Sequence, residues 1–375
     1  MKKFRYITTA FLFLAFTVSF LIFTLIREKG VESYQENRPL AGFPSFSLSA
    51  AADGNTVNEV NTYITDHFAG RSYWMSAKGY IDSKIGEAVV NDVYIGDNML
   101  LDISKSSADN TAELSARVND FAAGYDGTVY FAAIPSSTGV YGDILPEYLT
   151  YNTEKDMIDR LYSQFESSIR KIDAYNILKM LNDNYIYYRN DSKWTSYGAY
   201  CVYRTVIQKL GFLPIAYDKY TIEHITADFR GNLYNKSQYT GTKADMLDIY
   251  SYENGAEILS CTGYDEDGKR CSARLYDKKY IGTNDEYRLY LGDEIPLIKI
   301  RTDVNNEKKL LVVKDDYANC FIPFLTQHYS EIAVVSAECL NNTDYSLVDI
   351  GNYEQTLFLF GINELNGSIC LENLS

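Results

Sequence analysis

The chain has 375 residues, with 35 Lys+Arg against 50 Asp+Glu, a formal charge of −15 and only 3 histidines. So acidic a surface excludes nucleic acid as a partner, because phosphate binding needs a basic face. The 6 cysteines form no CxxC pair, so a zinc site has poor support and neither a metal nor a cofactor is expected.

Lys2, Lys3 and Arg5 precede an uncharged, mostly apolar run, residues 7–26, which is closed by Arg27, Glu28 and Lys29. At about 1.5 Å per residue this run spans about 30 Å, the hydrocarbon thickness of a bilayer. A cleavable signal peptide has a shorter apolar core followed by small residues, whereas charged ones follow here. The expectation is a cytoplasmic tail over 1–6 and an uncleaved transmembrane signal anchor over 7–26, in contact with the lipid bilayer. An extended linker over 27–55 then leads to an extracytoplasmic domain over 56–375, so the chain crosses the cell membrane once with its amino terminus in the cytoplasm. The 34 tyrosines fit a carbohydrate-lining surface or, more simply, half-buried strand positions.

Glu36 to Leu40 and Gly42-Phe43-Pro44 read as an extended segment, since two prolines and a glycine oppose a helix. Helical spacing follows from Thr56, with Val57, Val60, Tyr63 and Ile64 on one face, and a second helix is expected over Ser72 to Ile85. His67, at the first helix end, suits a local hydrogen bond. Val93 to Leu101 reads as a hairpin around Gly96-Asp97-Asn98. An α/β alternation then begins with a strand over Thr128 to Ile134 and a helix over Glu154 to Ile172. Strands over Ile172 to Leu178 and Asn184 to Tyr188 come next, then a helix over Ser196 to Leu210; such alternation implies a parallel sheet.

Residues of about 218–300 change character, with short apolar runs and many turn residues. They read as an irregular β-rich insertion that carries Phe229-Arg230-Gly231-Asn232-Leu233-Tyr234 and Tyr290-Leu291-Gly292-Asp293. Cys261 and Cys271 flank a polar turn there and are placed either to close a hairpin disulfide or to remain thiols. Alternation resumes with a strand over Leu310 to Val313, a helix from about Ala318, and strands over Ile332 to Val335 and Thr356 to Phe360.

Chemistry gathers at the carboxyl ends of strands in an open α/β sheet. Asp315 and Asp316 stand at such an end, in KDDYAN, and NDSKW, from Asn190, lies between a strand and a helix. The candidate reactive residues are Asp191, Lys193 and Asp316, with Ser192, Trp194, Asp315, Tyr317 and Asn319 lining the site. Asp316 offers a carboxylate nucleophile, while Asp191, Asp315 and Asp316 as a divalent-cation site are opposed by the ammonium among them. A Ser-Lys dyad needs a neutral lysine, which three carboxylates resist. His328 suits a cap or a packing position, and His224 has no supporting carboxylate pattern.

ENRPLAGFP, DHFAGR, VYIGDNMLL, WTSYGAY and KDDYANCFIPFLTQHYSEI, in that order, make the chain resemble the DHHW family. These are extracytoplasmic proteins of Gram-positive bacteria, related to the alginate O-acetylation proteins of the SGNH-hydrolase-like superfamily. The resemblance implies an α/β fold, an SGNH-hydrolase-like central parallel sheet flanked by helices. In the family, Asp-His-His-Trp supplies an aspartate and, two residues on, a histidine, while Lys-Asp-Ser-Tyr-Ala-Asn supplies a serine nucleophile. Serine attacks an acyl carbonyl, histidine takes its proton, and aspartate holds the imidazole. Here the aspartate matches Asp191, the histidine positions hold Ser192 and Lys193, and the serine position holds Asp316.

Two reactive groups are thus replaced by opposite charges, an exchange that reads as coupled, because one buried charge alone costs several kcal/mol. The resemblance then implies a site kept in shape without acyl transfer, in a binding or assembly component of cell-envelope polysaccharide O-acetylation. Its partners would be a cell-envelope polysaccharide and a membrane-bound O-acyltransferase. An O-acetyltransferase or esterase with an altered mechanism, and a structural envelope protein, remain as other readings.

Overall fold

The computed structural model describes residues 2–26, 29–30, 32–33, 38–43, 55–86, 88–104, 110–149, 153–340, 348–364 and 371. Glu36, Asn37, Pro44 and most of the expected linker lie outside the described residues, as does Cys370. The chain forms two compact units: Met1–Asn91 with Asn235–Thr240, and Asp92–Tyr234 with Gly241–Ser375.

The first unit holds α1 (Lys2–Ile26), α2 (Asn55–Asp66) and α3 (Arg71–Ile85). Tyr6–Thr24 of α1 is long and apolar enough to cross a membrane. The end of α2 fixes the extended segment: Asp66 Oδ2 accepts from Ala41 N (2.9 Å), and His67 Nε2 bonds Ala41 O (2.8 Å). His67 does bond a backbone carbonyl, but that of Ala41, 26 residues away, rather than a local one.

The second unit begins with a hairpin, β1 (Val93–Ile95) and β2 (Leu100–Asp102), and continues through α4 (Thr111–Ala123), β3 (Thr128–Ile134), α5 (Ser137–Tyr141) and α6 (Glu154–Gln164). Then come β4 (Arg170–Ile172), α7 (Ala174–Met180), α8 (Ser196–Lys209), β5 (Thr221–Phe229) and β6 (Asp245–Ser251). The chain goes on through β7 (Ile258–Tyr264), β8 (Arg270–Ser272), β9 (Leu297–Thr302), β10 (Lys309–Lys314), α9 (Ile322–Leu325), β11 (Glu331–Ser336) and β12 (Gln355–Gly361).

Eight strands form the main sheet in the order β8-β7-β9-β11-β10-β12-β3-β4. The run from β11 to β4 is parallel throughout, so five carboxyl ends share one edge. β9, β7 and β8 extend the sheet antiparallel. The sheet is therefore mixed rather than parallel throughout, and three strands of the expected insertion are part of it; only β5 and β6 form a separate ladder.

Side-chain alternation divides the core. Tyr130, Ala132, Leu310, Val312, Ile332, Val334, Leu357 and Leu359 face α7 and α8, while Phe131, Ala133, Leu311, Val313, Val335, Phe358 and Phe360 face α4 and α6. Both faces are covered, which is why these strands read as unbroken apolar runs.

Several expectations need correction. The helix from Glu154 stops at Gln164, and Ile172 ends an edge strand. Ile172 to Leu178 is not a strand: Asp173 accepts from Asn176 N (3.0 Å) and caps α7. Asn184 to Tyr188 forms only a single bridge, Tyr187 to Trp194. The helix expected from Ala318 is a 3-10 turn, Asp316–Ala318, followed by the four residues of α9. Helix α4 was not anticipated, although Leu114, Val118 and Phe121 carry its buried stripe. In the β7–β8 hairpin Cys271 stands opposite Gly263 rather than Cys261, and both thiols are free.

His328 is buried, and its Nε2 meets Tyr203 Oη at 2.7 Å, a packing position as expected. Burial lowers its pKa from 6.5 to about 4. Between those values the unfolded chain binds more protons, so stability is complete above pH 6.5 and falls as pH drops toward 4, by about 3 kcal/mol. In His328→Gln, urea midpoints measured from pH 7 to pH 4 should decline less than in the native chain. Leu311→Ala, at the centre of the sheet and fully buried, should lower unfolding free energy by about 2–5 kcal/mol with an unchanged denaturant slope.

Candidate functional site

NDSKW sits on a tight loop between α7 and α8. Tyr188 N donates to Lys193 O (3.3 Å) across it, and Thr195 caps α8 by accepting from Gly198 N (3.1 Å). A fully buried carboxylate, Asp245, holds the loop from beneath. It accepts from Arg189 N (2.9 Å), Asn190 N (2.8 Å) and Asn190 Nδ2 (2.8 Å), and it pairs with the Arg189 guanidinium (3.3 Å).

Asp191 Oδ1 accepts from Lys193 N (3.0 Å) and Oδ2 from Asn232 N (2.8 Å). The side chain of Asn232 bonds Ser192 N and Oγ, both at 3.2 Å. A Cβ on Gly231 would fall 2.3 Å from Asp191 Oδ2, so no other residue fits there without displacing the aspartate. FRGN, noted in the sequence without a role, is thus the cradle of Asp191.

The second stretch meets this loop directly. Ser192 O accepts from Tyr317 Oη (3.2 Å) and Ser137 N (3.1 Å), and Trp194 Nε1 donates to Tyr317 O (2.7 Å). Trp194 also stacks on Phe321, with centroids 6.2 Å apart. The two adjacent aspartates differ in role. Asp315 is buried and accepts from Tyr317 N (2.9 Å) and Gly361 N (2.7 Å), tying the turn to β12. Asp316 is half-buried; it accepts from Asn319 Nδ2 (3.2 Å) and shares a side-chain hydrogen bond with Glu294.

Lys193 brings an ammonium into this setting, with its side chain only 7% exposed. Its ion pair is with Asp191, at 3.9 Å, and Nζ lies 5.0 Å from the centre of the Tyr287 ring. Asp316 is not within 4.0 Å of it, so Lys193 and Asp316 form no direct ion pair, and Asp316 acts on the ammonium only through the field of the site. Among the described residues Lys193 Nζ makes no hydrogen bond. Burial alone would lower its pKa, but Asp191, then Glu364, Asp316 and Asp285, outweigh burial and raise it.

For Asp316 burial acts upward and is overcome by Lys193 and Lys314, so the carboxyl lies below its usual range. Lys314 is itself buried and bonds both oxygens of Glu294, at 2.9 and 3.2 Å. Glu364, just past β12, is pushed up by close protein surroundings against the pull of Lys193. As a residue it remains exposed to solvent, so it is a rim group.

The structure thus brings together Asp191, Ser192, Lys193, Trp194, Asp315, Asp316, Tyr317 and Asn319. Sequence reasoning missed Asp245, Asn232, Glu294 and Glu364, which lie far from both motifs in the chain; only Gly231-Asn232 stood in a recognised stretch. His224, given no partner from sequence, meets Asp248 Oδ1 at 2.6 Å on an exposed strand.

A parallel-rich α/β sheet with a polar site at its carboxyl edge defines the class. The family model described as DHHW protein matches residues 75–335, and the chain belongs to the DHHW family. It is similar to the crystal structure of a DHHW family protein from Eubacterium siraeum DSM 15702, with 22% identity and TM-score 0.60 over 76% of this chain and 93% of that one. It is also similar to Bacillus cereus PatB1 with a sulfonyl adduct, with 20% identity and TM-score 0.61 over 74% and 96%. These likenesses establish the fold. No curated protein matches the chain.

Removing one partner of a buried ion pair costs about 3–5 kcal/mol. Lys193→Met should lose stability on that scale. In double-mutant cycles by denaturation, Lys193 should couple more strongly to Asp191, changed to Asn, than to Asp316, changed to Asn.

Proposed function

We propose that this chain is a membrane-anchored, extracytoplasmic member of its family. In this reading it has lost acyl transfer and serves cell-envelope polysaccharide O-acetylation as a binding or assembly component. The observation that carries this is the state of the two replaced positions. At the base position Lys193 is held as an ammonium and has no lone pair to take a proton. At the nucleophile position Asp316 is held as a carboxylate between two ammonium fields, a weak attacking group.

What is left suits binding. Lys193 Nζ offers donors and Asp316 an acceptor, the pairing that sugar hydroxyls and acyl oxygens require. Trp194 and Tyr317, both fully buried, keep the floor rigid. Ser137 Oγ and Asn319 Oδ1, at the same strand edge, are buried without a partner among the described residues. The family resemblance supplies the acetylated polysaccharide as ligand class and a membrane-bound O-acyltransferase as partner. The apolar α1, with lysines and an arginine before it, supplies the anchor.

Titration of the full chain in detergent with acetylated and deacetylated envelope oligosaccharides, followed by calorimetry, tests the reading. Binding that falls at least tenfold in Lys193→Met is expected, with no turnover of p-nitrophenyl acetate. Ester turnover that Asp316→Ala abolishes would overturn it.

A further inference from the structure

Helix α3 packs through one side. Gly79 is buried, and a Cβ there would fall 2.2 Å from the carbonyl oxygen of Ser237, so that side lies on backbone of residues 235–240, within the same unit. At about 100° per residue, Tyr73, Trp74, Ala77, Tyr80, Ile81 and Ile85 fall within one arc of about 140° on the other side. This arc faces outward: Tyr73 is 81% exposed, Trp74 57%, Ile81 55% and Ile85 71%. Lys84 lies within the arc, with its Nζ 5.5 Å from the centre of the Tyr80 ring.

The turn that leads into α3 is held against α1. Phe68, in the turn that leads into α3, packs on Phe20 with centroids 4.8 Å apart. Ala69 N donates to Thr24 Oγ1 at 3.3 Å. The start of α3 is thus pinned to the last turn of the apolar stretch Tyr6–Thr24. Val57 and Ile64 of α2 add exposed apolar surface in the same unit. An exposed apolar arc such as that of α3 marks an interaction site. Trp, Tyr and Ile interspersed with lysine, beginning where a bilayer span ends, is the composition of a membrane interface.

We propose that α3 lies in the headgroup layer of the outer leaflet, with Tyr73, Trp74, Ile81 and Ile85 directed at lipid. The first unit is then docked on the membrane rather than suspended above it. This rests on the reading of α1 as a membrane anchor, and the test separates the two.

Trp74 and Trp194 are the two tryptophans of the chain, and Trp194 is fully buried. The full chain is reconstituted in phosphatidylcholine vesicles brominated at shallow or deep acyl positions. Loss of tryptophan emission should be greater with shallow bromines. It should disappear in Trp74→Phe, while flotation with the vesicles is unchanged. Flotation without quenching overturns the docking of α3 and leaves the anchor standing, as would a protein partner covering the face. Failure to float overturns both.

Discussion

An ammonium buried as deeply as that of Lys193 survives only among anions, and the arrangement of the site follows from that requirement. Desolvating a lone charge costs several kcal/mol, so the carboxylates near it are a condition of folding as much as a feature of binding. Asp191 supplies the nearest compensation, yet it is itself held by the backbone of Asn232 and by the close approach of Gly231. Asp245 fixes the loop on which both stand. The chain of dependence runs from a buried carboxylate, through a loop, to a charge at the mouth of the sheet. A group that is to take a proton needs a free lone pair, and the carboxylates around Lys193 favour its ammonium form instead.

Much of this was legible in the sequence. β3, β10, β11 and β12 announced themselves because strands covered on both faces are continuous apolar runs; KDDYAN does follow a strand, whereas NDSKW, expected between a strand and a helix, lies between two helices. What failed did so for physical reasons. Ala174–Met180 is too short to show helical periodicity, and its signal was the cap residue Asp173. α9 is buried on every side, with Pro323 inside it, so it offered no polar face to count. β7, β8 and β9 pair antiparallel over register that only the sheet defines.

The site was legible in position and less so in wiring. Sequence named Asp191, Lys193 and Asp316 but did not rank the two aspartates, and the structure puts Asp191 nearest the ammonium. Side-chain reach from a loop depends on where neighbouring elements hold it, and Asn232, Asp245 and Glu364 come from distant parts of the chain. Asp315 and Asp316 looked equivalent as neighbours. The backbone donors of Tyr317 and Gly361 make the first a structural cap and leave the second to face the site.

The central claim is that the scaffold of the family's site persists around two replaced reactive groups. Restoring both, with Lys193→His and Asp316→Ser in one chain, tests it most directly by steady-state hydrolysis of p-nitrophenyl acetate. The account predicts turnover in the double variant, sensitive to Asp191→Asn, and none in the native chain or in either single variant. A folded double variant without turnover would contradict it, as would hydrolysis by the native chain that Asp316→Ala removes.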